Sequence, residues 1–214
     1  GPSGMRELAK QLAFNDQLQE LYLSGCDLGD EGVEILCDQV LRAKKRPPIN
    51  KVDLFDNNIT CKGMEFLKAA LIENPDITDL FLWNNQIGNF GAGHLAQALK
   101  SNQTLIRLQM SGNVVGCMGA KDLADALSYN QTLTELGLHS NSVGESGAKA
   151  FAEMIQTQET LKILNLGNNC FGLKARPFFT AAMTVNKAVT NLYIAWNFKF
   201  ERATKKKKKG KKKK

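Results

Sequence analysis

Ile77 to Thr104, ITDLFLWNNQIGNFGAGHLAQALKSNQT, is the stretch whose reading decides how the chain folds. Its frame returns from Leu105 to Thr132 and from Leu133 to Thr160, and apolar heads at Ile49, Ile77, Leu105, Leu133, Leu161 and Val189 stand 28 residues apart. An earlier head, Leu18, lies 31 residues before Ile49. A recurrence of this length marks supersecondary units that stack on one another. Inside the unit, Ile77, Leu80, Leu82 and Ile87 surround Asn85, while the second half carries Gly88, Gly91, Leu95 and Leu99 among alanines. The first half reads as strand and turn, and the four-residue spacing of Leu95 and Leu99 reads as one face of a helix.

The pattern apolar-x-x-apolar-x-apolar-x-x-Asn-x-apolar is a leucine-rich repeat frame. Together with the phrase Asn-x-Ile-Gly-x-x-Gly-Ala-x-x-Leu-Ala-x-Ala-Leu-x-x-Asn, the 28-residue length resembles the ribonuclease-inhibitor-like class of these repeats. The likeness is greatest to the repeats of NOD-like receptors and looser to those of Ran GTPase-activating proteins and tropomodulins, and it runs from Leu8 to Asn197. It implies an α/β fold, a right-handed leucine-rich repeat horseshoe solenoid with a parallel sheet on the concave face and helices on the convex face. A lone unit cannot offset its own conformational entropy, so its neighbours must complete its core.

The units start at residues 18, 49, 77, 105, 133, 161 and 189, and the repeat domain is expected to span 18–203. Before it, residues 5–17 read as the helical half of a repeat without its strand, with Leu8, Leu12 and Asn15 in the phase of Leu95, Leu99 and Asn102. Gly1-Pro2-Ser3-Gly4, ahead of Met5, resembles what a cleaved expression tag leaves and is set aside. Cys26 stands where later units have Asn57, Asn85, Asn113, Asn141, Asn169 and Asn197, and the extra length of the first unit falls in Arg42-Ala-Lys-Lys-Arg-Pro-Pro48, whose prolines mark a loop. Unit six replaces the usual turn with Phe171 to Pro177, and Pro177 is suited to opening a helix. Unit seven breaks at Lys199, with Phe198 and Phe200 available to cover the end of the array.

The formal net charge is +7, yet nine of the last ten residues are lysines, which leaves the rest of the chain at −2. The basic character therefore belongs to a tail, 204–214, that has nothing to bury and is expected to be disordered. Lys205, Lys206, Lys207, Lys208, Lys209, Lys211, Lys212, Lys213 and Lys214 could attach the chain electrostatically to phosphates, lipid headgroups or acidic protein tails. Without interleaved aromatics the tail cannot read a nucleic-acid sequence. The five cysteines are odd in number and unclustered, and no apolar signal or membrane span is evident. A monomeric cytoplasmic protein is expected, with nuclear or cytoskeleton-associated location as alternatives.

Nothing in the pattern supports catalysis, a cofactor or a metal. The two histidines, His94 and His139, have no partner carboxylate or cysteine at recognisable spacing, no Cys-x-x-Cys pair occurs, and the glycines follow the repeat rather than a phosphate-binding loop. The triplets at Asn58, Asn102 and Asn130 match the glycosylation acceptor, but two of them recur at one phase of the repeat and read as loop template.

Recognition is the productive reading. Parallel strands about 4.8 Å apart align alternate residues on one wet face. On this frame the outward positions include Tyr22, Asp53, Phe55, Phe81, Trp83 and His139, with Asp56, Asp79, Arg107, Glu135 and Trp196 at the edges. Candidate partner-binding residues are Tyr22, Asp53, Phe55, Asp56, Asp79, Phe81, Trp83, Arg107 and His139, and the partner is a protein or peptide, with a basic segment favoured by Glu20, Asp53, Asp56 and Asp79. Large aromatics rimmed by charge are the usual anchors of such contacts. Aromatics also pair across strands with no ligand present, an alternative that sequence leaves open. The resemblance adds a GTPase-regulating role of the Ran-activator type or an enzyme-blocking role of the ribonuclease-inhibitor type as further alternatives.

Overall fold

The structure, a computed structural model, describes residues 1–197. The tail at 204–214 and the end-covering role of Phe198 and Phe200 lie outside the described residues.

Strand and helix alternate along the chain: α1 (Pro2–Leu12), β1 (Glu20–Tyr22), α2 (Gly29–Leu36), β2 (Lys51–Asp53), α3 (Cys61–Glu73), β3 (Asp79–Phe81), α4 (Gly88–Ser101), β4 (Arg107–Gln109), α5 (Cys117–Tyr129), β5 (Glu135–Gly137), α6 (Gly144–Thr157), β6 (Ile163–Asn165), α7 (Arg176–Val185) and β7 (Asn191–Tyr193). The strands form one parallel sheet in sequential order, so every unit lies beside the next. Register follows the repeat, with Leu21, Val52, Leu80, Leu108, Leu136, Leu164 and Leu192 opposite one another. These side chains and the row two residues later turn inward to meet the helices, whose Leu67, Leu95, Leu123 and Phe151 are buried. The core is therefore one unbroken apolar layer, as a solenoid of units too small to fold alone requires.

Two asparagine ladders close the polar backbone at the bends. In the first, Asn57, Asn85, Asn113, Asn141, Asn169 and Asn197 are buried below the sheet. Asn85 is typical: its Oδ1 accepts from the amides of Asn57 and Ile59, both at 3.0 Å, and its Nδ2 donates to the carbonyls of Leu54 at 2.9 Å and Leu82 at 3.0 Å. Amides removed from water must find such partners. Cys26 makes only a long Sγ contact to the Ser24 carbonyl, at 3.6 Å. The second ladder sits at the helix C-termini, where Asn102 and Asn130 are buried, donate to the carbonyls of Leu71 and Leu99, and cap the next strand at Leu105 and Leu133. Two of the glycosylation triplets are thereby occupied in packing.

Units alternate in how their helices begin. At α4 and α6 the first residue is Gly88 or Gly144 with φ of 62° or 65°, a left-handed conformation that glycine adopts most readily. The helices α3 and α5 instead start at Cys61 and Cys117, and the preceding unit caps them: Asp30 accepts from the amides of Thr60 at 2.8 Å and Gly63 at 2.9 Å, and Asn89 from those of Gly116 at 2.8 Å and Gly119 at 3.0 Å. A side-chain oxygen on these first-turn amides replaces the partner a helix lacks at its start.

The N-terminal helix and the basic loop of unit one depart from the sequence reading in detail. The N-terminal helix begins at Pro2 rather than near Arg6, because proline is tolerated in a first turn and nothing between it and Met5 breaks the helix; Met5 is buried against the first repeat. The basic loop is largely tied to the body, since Arg42 pairs with Asp38 at 2.7 Å and Glu73 at 2.8 Å, and Arg46 with Asp76 at 3.1 Å. A π-helical turn, Cys37–Leu41, takes up one extra residue of unit one, so that Asn74 donates to the Leu41 carbonyl as Asn102 does to that of Leu71, and the rest of the excess falls in this loop. Cys37 is fully buried there, and desolvation pushes its thiol up, so it stays protonated. At the other end α7 opens with Pro177 in its first turn, as expected, and Phe179 is buried.

Candidate functional site

The concave face is the outward side of the seven strands, and the register sorts its side chains into rows. The outermost row is Glu20, Lys51, Asp79, Arg107 and Glu135, with alternating charge. Two ion pairs form within this row, and its last member, Glu135, is met by a neutral amide. Lys51 lies 3.4 Å from Glu20, Arg107 Nε donates to Asp79, and Glu135 accepts from Gln109 Nε2 at 2.6 Å. The hydrogen bond to Asp79 holds the Arg107 guanidinium above its usual value. The Tyr22 hydroxyl and then Lys51 hold the Glu20 carboxyl below its own, and Tyr22 and Glu20 raise Lys51.

Asp79 is consequently not the open acidic group that its sequence position suggested. It is 7% exposed, closed over by Arg107 and by the Thr78 hydroxyl, which donates to Asp79 Oδ2 at 2.7 Å. Of the four carboxylates that favoured a basic partner, Glu20 and Asp79 are paired within the sheet. Asp53 and Asp56 remain, the first accepting, among the described residues, from the Phe55 amide at 2.9 Å and the second exposed.

Three of the aromatics form one cluster. Trp83 meets Phe55 edge-on at 6.4 Å between ring centroids and Phe81 at 5.9 Å, and its indole N–H donates to Gln109 Oε1 at 3.3 Å. Phe55 and Phe81 are half-buried and brace the indole, which keeps 41% of its surface in water. Tyr22 is 55% exposed one strand further out, where the Lys51 ammonium lies 4.9 Å from its ring centroid and 5.7 Å from that of Phe81. Tyr22, Asp53, Phe55, Asp56, Phe81 and Trp83 are thus brought together on β1 to β3 and the turns that follow them.

His139 lies apart. Its ring meets Trp196 edge-on at 5.9 Å, and it occupies space left by Gly167, where an added Cβ would come 2.7 Å from Nδ1. Gly137 plays the same part for Gln109, whose carboxamide overlaps the position a Cβ would take. The bare middle of the face therefore lets Gln109 reach both Trp83 and Glu135. Substituting Gly137 by alanine should displace Gln109 and release the Trp83 indole N–H, seen as a shift of its nuclear magnetic resonance signal with little loss of stability; an unmoved signal would show that Gln109 does not hold the ring. Lys51 is the side chain of this cluster that the sequence reading passed over, although it stands 28 residues before Asp79.

Among the described residues, no cluster of three or more His, Cys, Asp or Glu side chains could hold a metal ion, and no helix is long and apolar enough to cross a membrane. The five cysteines are free.

A family model described as Leucine Rich repeat matches residues 15–37 and 129–152. No curated protein matches the sequence. Among solved structures, the chain is similar to that of Leiomodin-1 Actin-Binding Site 2, at 21% identity and a TM-score of 0.57, over 86% of this chain and 87% of that one. It is also similar to the tropomodulin C-terminal domain of Caenorhabditis elegans, at 15% identity and a TM-score of 0.53, over 86% and 92%. At these identities the likeness speaks for the fold. With the 28-residue frame, the sequential parallel sheet and the buried asparagine ladder, the chain has a leucine-rich repeat fold, consistent with the ribonuclease-inhibitor-like class that its sequence resembles.

Proposed function

We propose that the chain is a non-catalytic docking module that binds a protein partner through the concave face, with Trp83 as the central anchor. The observation that carries this reading is the posture of Trp83: it projects from a rigid sheet, held by two rings and a hydrogen bond, while much of the indole stays wet. A side chain ordered in advance loses little entropy when a partner covers it. Aromatic anchors of this kind are worth about 2 kcal/mol or more on truncation. Tyr22, Asp53, Phe55, Asp56 and Phe81 complete the contact surface, and Arg107 with Asp79 shapes its rim. His139 joins a second, smaller aromatic group with Trp196 at the far end.

The similar leiomodin-1 structure is that of an actin-binding site, which makes actin the first partner to test and the cytoskeleton the first location to examine. The protein acts as a monomer in this reading, since one face of one chain supplies the whole anchor. Combining Phe55→Ala with Trp83→Ala should weaken binding at least tenfold, measured by co-sedimentation with filamentous actin and by titration with monomeric actin. For any other protein recovered from native lysate, the same pair of substitutions should reduce recovery. Binding at undiminished affinity would remove the cluster as the anchor, and circular dichroism checks that the variant remains folded.

A further inference from the structure

The N-terminal part of the concave sheet shows how this face receives a lysine. The Lys51 ammonium sits between a carboxylate, Glu20 at 3.4 Å, and two ring faces, Tyr22 at 4.9 Å and Phe81 at 5.7 Å. The same ingredients recur beside it without a cation. Asp53 and Asp56 flank Phe55 in the chain, Phe55 meets Trp83 edge-on, and among the described residues neither carboxylate is in an ion pair. A carboxylate next to an aromatic face suits an ammonium twice, by charge and by the ring quadrupole.

Charge is distributed to match. Residues 1–197 carry 20 acidic and 17 basic side chains, a net of −3. The seven strands and the turn at Asp56 hold five acids and two bases, also −3, so the remainder of the described body is balanced. Residues 198–214 carry eleven basic side chains and one acidic, a net of +10.

We propose that the lysine segment 205–214 of the same chain occupies the concave face, with one ammonium between Asp53, Asp56, Phe55 and Trp83. The reach allows it: β7 and β2 are five strand spacings apart, about 24 Å, and the eight residues from Phe198 to Lys205 extend to about 26 Å. Tethering supplies an effective concentration in the millimolar range, so contacts too weak to hold a free peptide suffice. The segment is then a built-in competitor that a partner must displace. This last consequence rests on the docking role proposed for the same face; the occupancy itself does not.

The test uses the full chain with Trp196→Phe, which leaves Trp83 as the sole tryptophan. Trp83 should be protected from acrylamide quenching at about 0.05 M salt and lose that protection at about 0.5 M, because exposed ion contacts are screened. A chain ending at Thr204 should show the unprotected value at both. Adding a synthetic Lys205–Lys214 peptide at about millimolar concentration, the level that tethering supplies, should restore protection, and Asp53→Asn with Asp56→Asn should weaken that peptide about tenfold. Asparagine keeps the acceptor that Asp53 offers the Phe55 amide and suits the positive φ of 53° at Asp56, so the fold is retained. Equal protection of Trp83 in the full and shortened chains at low salt would overturn the proposal. Protection that rises with protein concentration would overturn it as well, by identifying a second copy as the occupant. If the segment fails these tests while Phe55→Ala with Trp83→Ala still abolishes partner binding, the docking role stands alone; the reverse pattern removes the docking role and keeps the occupancy.

Discussion

Replacing Asn141 by alanine should lower the unfolding free energy by about 3–4 kcal/mol, among the larger effects a single polar side chain produces. Asn141 Oδ1 accepts from the amides of Asn113 at 3.0 Å and Val115 at 2.9 Å, and Nδ2 donates to the carbonyls of Met110 and Leu138, both at 3.0 Å. Truncation strands two backbone amides where the residue is nearly solvent-free, while the Met110 and Leu138 carbonyls keep the Asn113 and Asn169 side-chain amides as donors, and each stranded group costs about 1–3 kcal/mol before relaxation or an entering water offsets part of it. Cys26→Ala provides the contrast. It removes one long sulfur contact at the edge of the array and should cost under about 1 kcal/mol. Urea denaturation of both variants measures the difference, and equal stabilities would show that the ladder is not what secures the turns.

The second large effect is expected at Gly119. A Cβ there would lie 2.8 Å from the Ala92 Cβ and 3.1 Å from both the Asn89 Cα and the Val115 Cγ1. The neighbouring backbone cannot yield as a flexible side-chain end could, so Gly119→Val must push α5 away from α4. That movement also breaks the cap in which the Gly119 amide donates to Asn89. Overpacking at about 1–3 kcal/mol and loss of a cap at about 1 kcal/mol together bring the expected cost to about 3 kcal/mol. Gly93→Ala is predicted to act in the opposite direction. Its Cβ would meet only Asp122 Oδ2 at 3.5 Å, an ordinary contact, and alanine favours the helix interior by up to about 1 kcal/mol. Thermal unfolding of the two variants checks the sign, and a raised melting temperature for Gly119→Val would refute the packing argument.

Much of the candidate site was legible before any coordinates. Strand side chains alternate with period two, so Leu80 and Leu82 facing the core place Phe81 and Trp83 on the open side. The 28-residue phase then carries Phe55 alongside. The same phase puts Lys51 in the row of Asp79 and Arg107, but spacing alone does not distinguish a lysine seated on two rings from one left in water. The closure of Asp79 was not legible. It depends on Arg107 turning along the row towards β3 and on a hydroxyl at Thr78, choices made by rotamers and not by spacing. Gly137 and Gly167 looked like empty places, yet the structure fills them with Gln109 and His139, because side chains lean into whatever volume a neighbour leaves.

From the sequence by itself came the repeat starts, the core leucines and the asparagine row, since each follows from a period that repeats the same local demand every 28 residues, and the resemblance added the parallel order of the strands. Tertiary structure alone decided which glycines turn the chain and which let helices approach: Gly88 and Gly144 adopt positive φ, whereas Gly91 and Gly119 face the preceding helix. It also decided which charges cancel across strands and which stay open to water. Those outcomes depend on distances between side chains of different units, and a repeat pattern sets which residues are neighbours without setting how closely they meet.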